Sequence, residues 1–123
     1  MRRAAFLAAV VLVAAPVTAQ ETVRIDPEEA RTCAIWASYV ASELVEDPAT
    51  QQALMMATNY FVGHYEGVTG VSIAQGDDRV AAERVVLNLA ETTQMCTRHM
   101  ESYSNRMVQW GDLLQRLGEA GAG

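Results

Sequence analysis

The sequence predicts an all-α protein, a small four-helix bundle of two helical hairpins with one disulfide, and three observations carry that expectation. Apolar residues recur at steps of three and four, and no stretch alternates with period two for long enough to form a strand. Asp26-Pro27 and Asp47-Pro48 each place a capping side chain just before a first-turn proline. The two cysteines, Cys33 and Cys96, lie in a chain whose start reads as an export signal, so they are expected to bond to each other.

The start of the chain is set aside first. Arg2 and Arg3 are followed by an apolar run from Ala4 to Val17, and Val17, Thr18 and Ala19 suit a peptidase cut after Ala19. The run of about 14 residues is shorter than the roughly 20 a spanning helix needs. Residues 1–19 are therefore read as a signal peptide and 20–123 as a single helical domain, with an ordered core over about 26–118. The expected location is periplasmic or secreted, with no membrane attachment after cleavage.

The first helix starts at Asp26, with Pro27 in its first turn and Glu29 placed to complete a capping box. Ala30, Cys33, Ala37, Val40 and Leu44 share one face, which Trp36, Ala41 and Val45 widen, and Glu46 and Asp47 end it. The second helix follows Asp47 with Ala53, Met56, Ala57, Tyr60, Phe61 and His64 at helical steps, and fades among Gly67, Val68, Thr69 and Gly70. So short a connection makes the two helices a hairpin.

Residues 67–76 are the least helical part of the domain, after which Asp77 or Asp78 caps a third helix. That helix carries Val85, Val86, Leu89, Ala90, Thr93 and Cys96 on its apolar side, and Ser102, Ser104 and Asn105 are expected to interrupt it. The last helix is marked by Met107, Val108, Trp110, Gly111, Leu114 and Leu117, ahead of a small-residue tail from Gly118 to Gly123.

Without its signal the chain keeps seven Arg, no Lys and 15 Asp plus Glu, a net charge of −8. Such a charge disfavours nucleic acid and anionic membrane surfaces and leaves proteins or small molecules as the plausible ligands, with another protein the expected partner. No catalytic residues, metal ligands or cofactors are assigned. Cys96 and His99 have a ligand-like spacing, but no second pair completes a zinc site, and the haem-attachment motif would need another cysteine. The five serines of the domain lie outside any nucleophile elbow.

Tyr60, Phe61, Gly63, His64, Tyr65 and Gly67 form the most distinctive segment and are the candidate binding surface. His64 and Glu66, two apart on a helix, point to different faces and do not make an acid/base pair. Gly63 and Gly67 are expected to form a strip where a neighbouring helix approaches closely, with Tyr60, Phe61 and Tyr65 packed around it. The methionines 55, 56, 95, 100 and 107 read as core filler, the alternative being an adaptable binding surface.

A leader, Cys33 on the first helix, the Tyr60, Gly63, Gly67 pattern and Cys96 on a later helix together resemble the small periplasmic HdeA-like group. That group comprises acid-stress chaperones with one disulfide across a helical bundle. The layout is also similar to disulfide-bonded immunity proteins that neutralise secreted cell-wall amidases. The chain departs from the chaperones in having no Lys, and from the immunity proteins in having no cysteine just before Tyr60. The lack of catalytic groups, the acidic charge and the Met and aromatic content give the expectation of a non-catalytic protein-binding module, and the resemblance adds the chaperone or inhibitor type. The alternative is a small hydrolase or ligand carrier with a pocket near His64 and Glu66.

Overall fold

The computed structural model describes residues 25–75 and 78–122; the expected signal peptide over 1–19 and the candidate cap Asp77 lie outside the described residues. Four helices follow in order: α1 (Pro27–Glu43), α2 (Pro48–Thr69), α3 (Arg79–Leu87) and α4 (Leu89–Gly121). The described residues contain no strand. Both Asp-Pro starts work as the sequence implies. Asp26 accepts from the Glu28 N–H at 3.0 Å and Asp47 from the Thr50 N–H at 3.2 Å, each meeting a donor that a first helical turn leaves unpaired. Glu29 does not complete the expected capping box, because its carboxylate accepts from His99 Nε2 on α4 at 3.1 Å.

α1 and α2 form the main hairpin. Their contact faces are rich in alanine, with Ala30, Ala34, Ala37 and Ala41 buried on α1 and Ala57 on α2, so the two backbones can approach closely. Trp36, Leu54 and Phe61 fill the remaining space, and Phe61 is fully buried. α1 stops at Glu43, three residues earlier than the acidic pair suggests, so Val45 lies past its end and is exposed rather than widening the core face. Leu44 remains partly buried against the core.

α4 crosses α1 in the opposite direction, as three contacts in reverse register show. Trp36 Nε1 donates to Thr93 Oγ1 at 2.9 Å, Cys33 bonds to Cys96, and Glu29 meets His99. The disulfide spans a Cα separation of 5.4 Å and both its residues are fully buried. A core built so largely of alanine buries little apolar area per residue. The cross-link closes a loop with a sequence separation of 63 and contributes about 4 kcal/mol through the unfolded state.

The boundary between the third and fourth helices differs from the expected one. The break is at Asn88, whose side-chain amide donates to the Arg84 carbonyl at 2.9 Å and competes with continued helix. Ser102, Ser104 and Asn105 sit inside α4 without interrupting it. Their weak helix propensity costs a few tenths of a kcal/mol each, and the packing of Met100 and Tyr103 on the same turns outweighs it. The disulfide thus reaches the early turns of the last helix, not the end of the third. Asp78 stands at the N-terminus of α3 but does not cap it with its side chain, which is ion-paired with Arg31 of α1.

Candidate functional site

The Tyr60 to Gly67 segment lies on the second half of α2, and its side chains separate by face. Phe61 points into the core. Tyr60 stacks on Tyr103 of α4 with ring centroids 4.2 Å apart, and its hydroxyl accepts from Arg106 at 2.8 Å. His64 Nε2 lies 2.9 Å from the Ile25 carbonyl oxygen; because a carbonyl only accepts, this nitrogen carries the proton. Glu66 turns the other way and accepts from the Ile73 N–H at 3.0 Å, holding the loop after α2. His64 and Glu66 are therefore each engaged with backbone and do not meet.

Gly63 and Gly67 depart from expectation. Both are exposed, and among the described residues a Cβ added at either would meet nothing within 4 Å, so no described helix approaches them. The close packing in this region comes from aromatic stacking on α4, one face away. Tyr65 is partly buried against the core. What the segment leaves on the surface is the open glycine strip.

An open groove of about 770 Å³ runs between α1, α3 and α4. Arg31, Arg84 and Arg98 line it together with Glu28, Glu29 and Glu91, and its floor includes Val85 and Met95. The acidic and basic groups balance, and neither a nucleophile with a base nor a ligand cluster is present in that lining. Among the described residues no group of three His, Cys, Asp or Glu is placed to hold a metal ion. Likewise no described helix is long and apolar enough to cross a membrane.

The most distinctive surface lies elsewhere, on α4. Leu89, Thr93, Cys96, Met100, Tyr103, Met107, Trp110, Leu114 and Leu117 follow at alternating steps of four and three, a single seam along one helix face. The first five are covered by the rest of the chain: Leu89 and Met100 pack on the core, Thr93 takes the Trp36 hydrogen bond, Cys96 is cross-linked and Tyr103 is stacked. From Met107 onward every described residue is exposed. Trp110 is 53% and Leu117 59% exposed although both continue the buried seam. Charged residues Asp112, Arg116 and Glu119 lie on the other side of the helix. Met55 and Met56 of α2 are exposed as well, whereas Met95 and Met100 fill gaps beside the core, so only part of the methionine set is filler.

Sequence reasoning missed this face because it placed a helix break at residues 102–105. The signal was present: the four-three spacing passes through those residues unbroken. No family model, curated protein or solved structure matches the chain.

Proposed function

We propose that this protein is an exported, non-catalytic protein-binding module, of chaperone or inhibitor type, that engages its partners through the outer half of α4. The observation that carries the reading is the uncovered apolar seam from Met107 to Leu117, which continues a face that is buried or partly buried over the first half of the helix. A soluble chain that keeps large apolar side chains aligned in water over three turns has a use for them. The leader-like start and the buried Cys33–Cys96 bond support export to an oxidising compartment. The groove between α1, α3 and α4 offers a second, polar contact area, and the glycine strip on α2 would admit close approach by a partner backbone.

The test is capture from a periplasmic extract with the oxidised protein, residues 20–123, beside its Leu114→Glu variant, at neutral pH and near pH 3. A single partner held at neutral pH and lost with the variant identifies an inhibitor. Many proteins held only in acid, and lost with the variant, identify a chaperone. Equal retention by both proteins, or retention of nothing, contradicts the reading.

A further inference from the structure

We infer that the outer half of α4 pairs antiparallel with the same segment of a second copy, forming a two-fold dimer. The inference rests on the reading of this face as a binding surface and names its first occupant. Residues 107–121 extend beyond the Arg106 to Tyr60 hydrogen bond for roughly 22 Å at the rise of an α-helix, and all of them are exposed. A projecting helix with apolar residues at four-three spacing cannot fold back on its own bundle, and it has the geometry of one strand of a coiled coil.

Four features point to a second copy as the occupant. The first is area. The exposed parts of Met107, Trp110, Leu113, Leu114 and Leu117 amount to on the order of 500 Å² per chain, near the upper end of what a monomer leaves uncovered. Two such faces together bring on the order of 1,000 Å² into contact, the lower limit for a specific interface.

The second is self-complementarity. In the antiparallel register that sets Trp110 against Leu114 of the partner subunit, Met107 meets Leu117 of the partner subunit, and the two-fold axis generates the reverse pairs. The four seam residues are thereby all used, with none left over. Leu113, on one flank of the seam, faces its own symmetry mate. Gly111 and Gly118 occupy the other flank seven residues apart and leave room for the backbones to approach.

The third is charge. The chain is acidic, yet the projecting seam carries no ionised side chain between Met107 and Leu117, since Asp112, Arg116 and Glu119 all face away from it. Like-charge repulsion is therefore kept out of the contact, and the antiparallel arrangement also holds the two acidic bundles at opposite ends of the pair. The same charge count opposes an anionic lipid surface as the occupant, because Asp112 and Glu119 outnumber Arg116 on the polar face.

The fourth is the tail. In this register the last turn of one α4 lies beside Tyr103 and Ser104 of the other, where the bundle begins. That turn consists largely of Gly118, Ala120 and Gly121, which are small enough to avoid the bundle end.

Sedimentation equilibrium of oxidised residues 20–123 at about 100 µM is the test, with dilution used to move the association. Twice the chain mass is expected, falling to one chain mass for Trp110→Glu and Leu114→Glu with the thermal transition of the bundle retained. Register is read by oxidative cross-linking: the double variant Met107→Cys, Leu117→Cys should cross-link between copies, and Leu117→Cys alone should not. A wild-type protein of single-chain mass overturns the inference, as does ready cross-linking of Leu117→Cys to itself, which only a parallel pair would give. If the wild type is monomeric while Leu114→Glu still abolishes partner capture, the dimer is wrong and the protein-binding reading stands. Loss of neither mass nor capture in the variants removes both.

Discussion

Tyr60 of α2 and Tyr103 of α4 stack with ring centroids 4.2 Å apart, and this pair is the last ring contact between α4 and the hairpin before the helix runs free. Arg106 closes the junction by donating both to the Tyr60 hydroxyl and to Ser102 Oγ. The stack therefore sets the direction in which the outer half of α4 leaves the bundle. Tyr103→Ala should lower stability by about 2 kcal/mol, through lost area and lost stacking, whereas Tyr60→Phe should cost about 1 kcal/mol through the hydroxyl alone. Urea denaturation of the two variants would check both the size and the order.

The alanine-rich core makes the bundle dependent on its cross-link. Replacing both Cys33 and Cys96 with Ser should lower stability by at least the roughly 4 kcal/mol of the loop-closure effect, since two hydroxyls would also enter a fully buried site. The measurement is thermal unfolding followed by circular dichroism. A variant that melts within a few degrees of the wild type would show that packing alone holds α4 in place.

Two glycines of the α2 region should respond in opposite directions. Gly63 lies in an open, helical position, so Gly63→Ala should raise stability by roughly 0.5–1 kcal/mol. Gly70 ends α2 with φ +68, a left-handed conformation, so Gly70→Ala should lower stability by about 1 kcal/mol. If Gly63→Ala stabilises the protein and also weakens partner capture, the open strip belongs to the binding surface. Unchanged capture would limit the glycine to a local effect on the helix.

Asp47 should titrate below the usual aspartate range, because the Thr50 side chain and then the Thr50 N–H hydrogen-bond its carboxylate, with the Ala49 N–H adding a smaller effect. A depressed folded pKa means that the cap contributes stability above the unfolded value of 3.8 and loses it as pH falls through the lower folded value. Carboxyl chemical shifts followed between about pH 2 and pH 6 would give the pKa directly, and Thr50→Val should bring it back toward the ordinary value. An unshifted Asp47 in the wild type would contradict the cap geometry.

Local signals in the sequence were enough for the helical class, both Asp-Pro starts and the Cys33–Cys96 pairing, because each depends on near neighbours or on a single choice of partner. The boundary of the last helix was not legible from composition. Asn88 breaks the chain through its own side chain, whereas Ser102, Ser104 and Asn105 have similar propensities and are carried along by the packing around them. The candidate segment on α2 shows the same limit. Its aromatic content was visible, but only tertiary contacts decide that Phe61 is core, Tyr60 belongs to the α4 junction and Gly63 faces open space. The α4 face was written in the spacing from Met100 to Leu117, and the expected break at Ser102 to Asn105 divided it.

A partner that covers the outer face of α4 would lie against Leu117 and away from Asp112. A photo-cross-linking residue placed at Leu117 or at Asp112, on opposite sides of the same helix, and irradiated in cells that produce the protein gives the test. A covered outer face of α4 gives a discrete higher-mass adduct from position 117 and little or none from position 112. No adduct from position 117, or equal adducts from both, would contradict it.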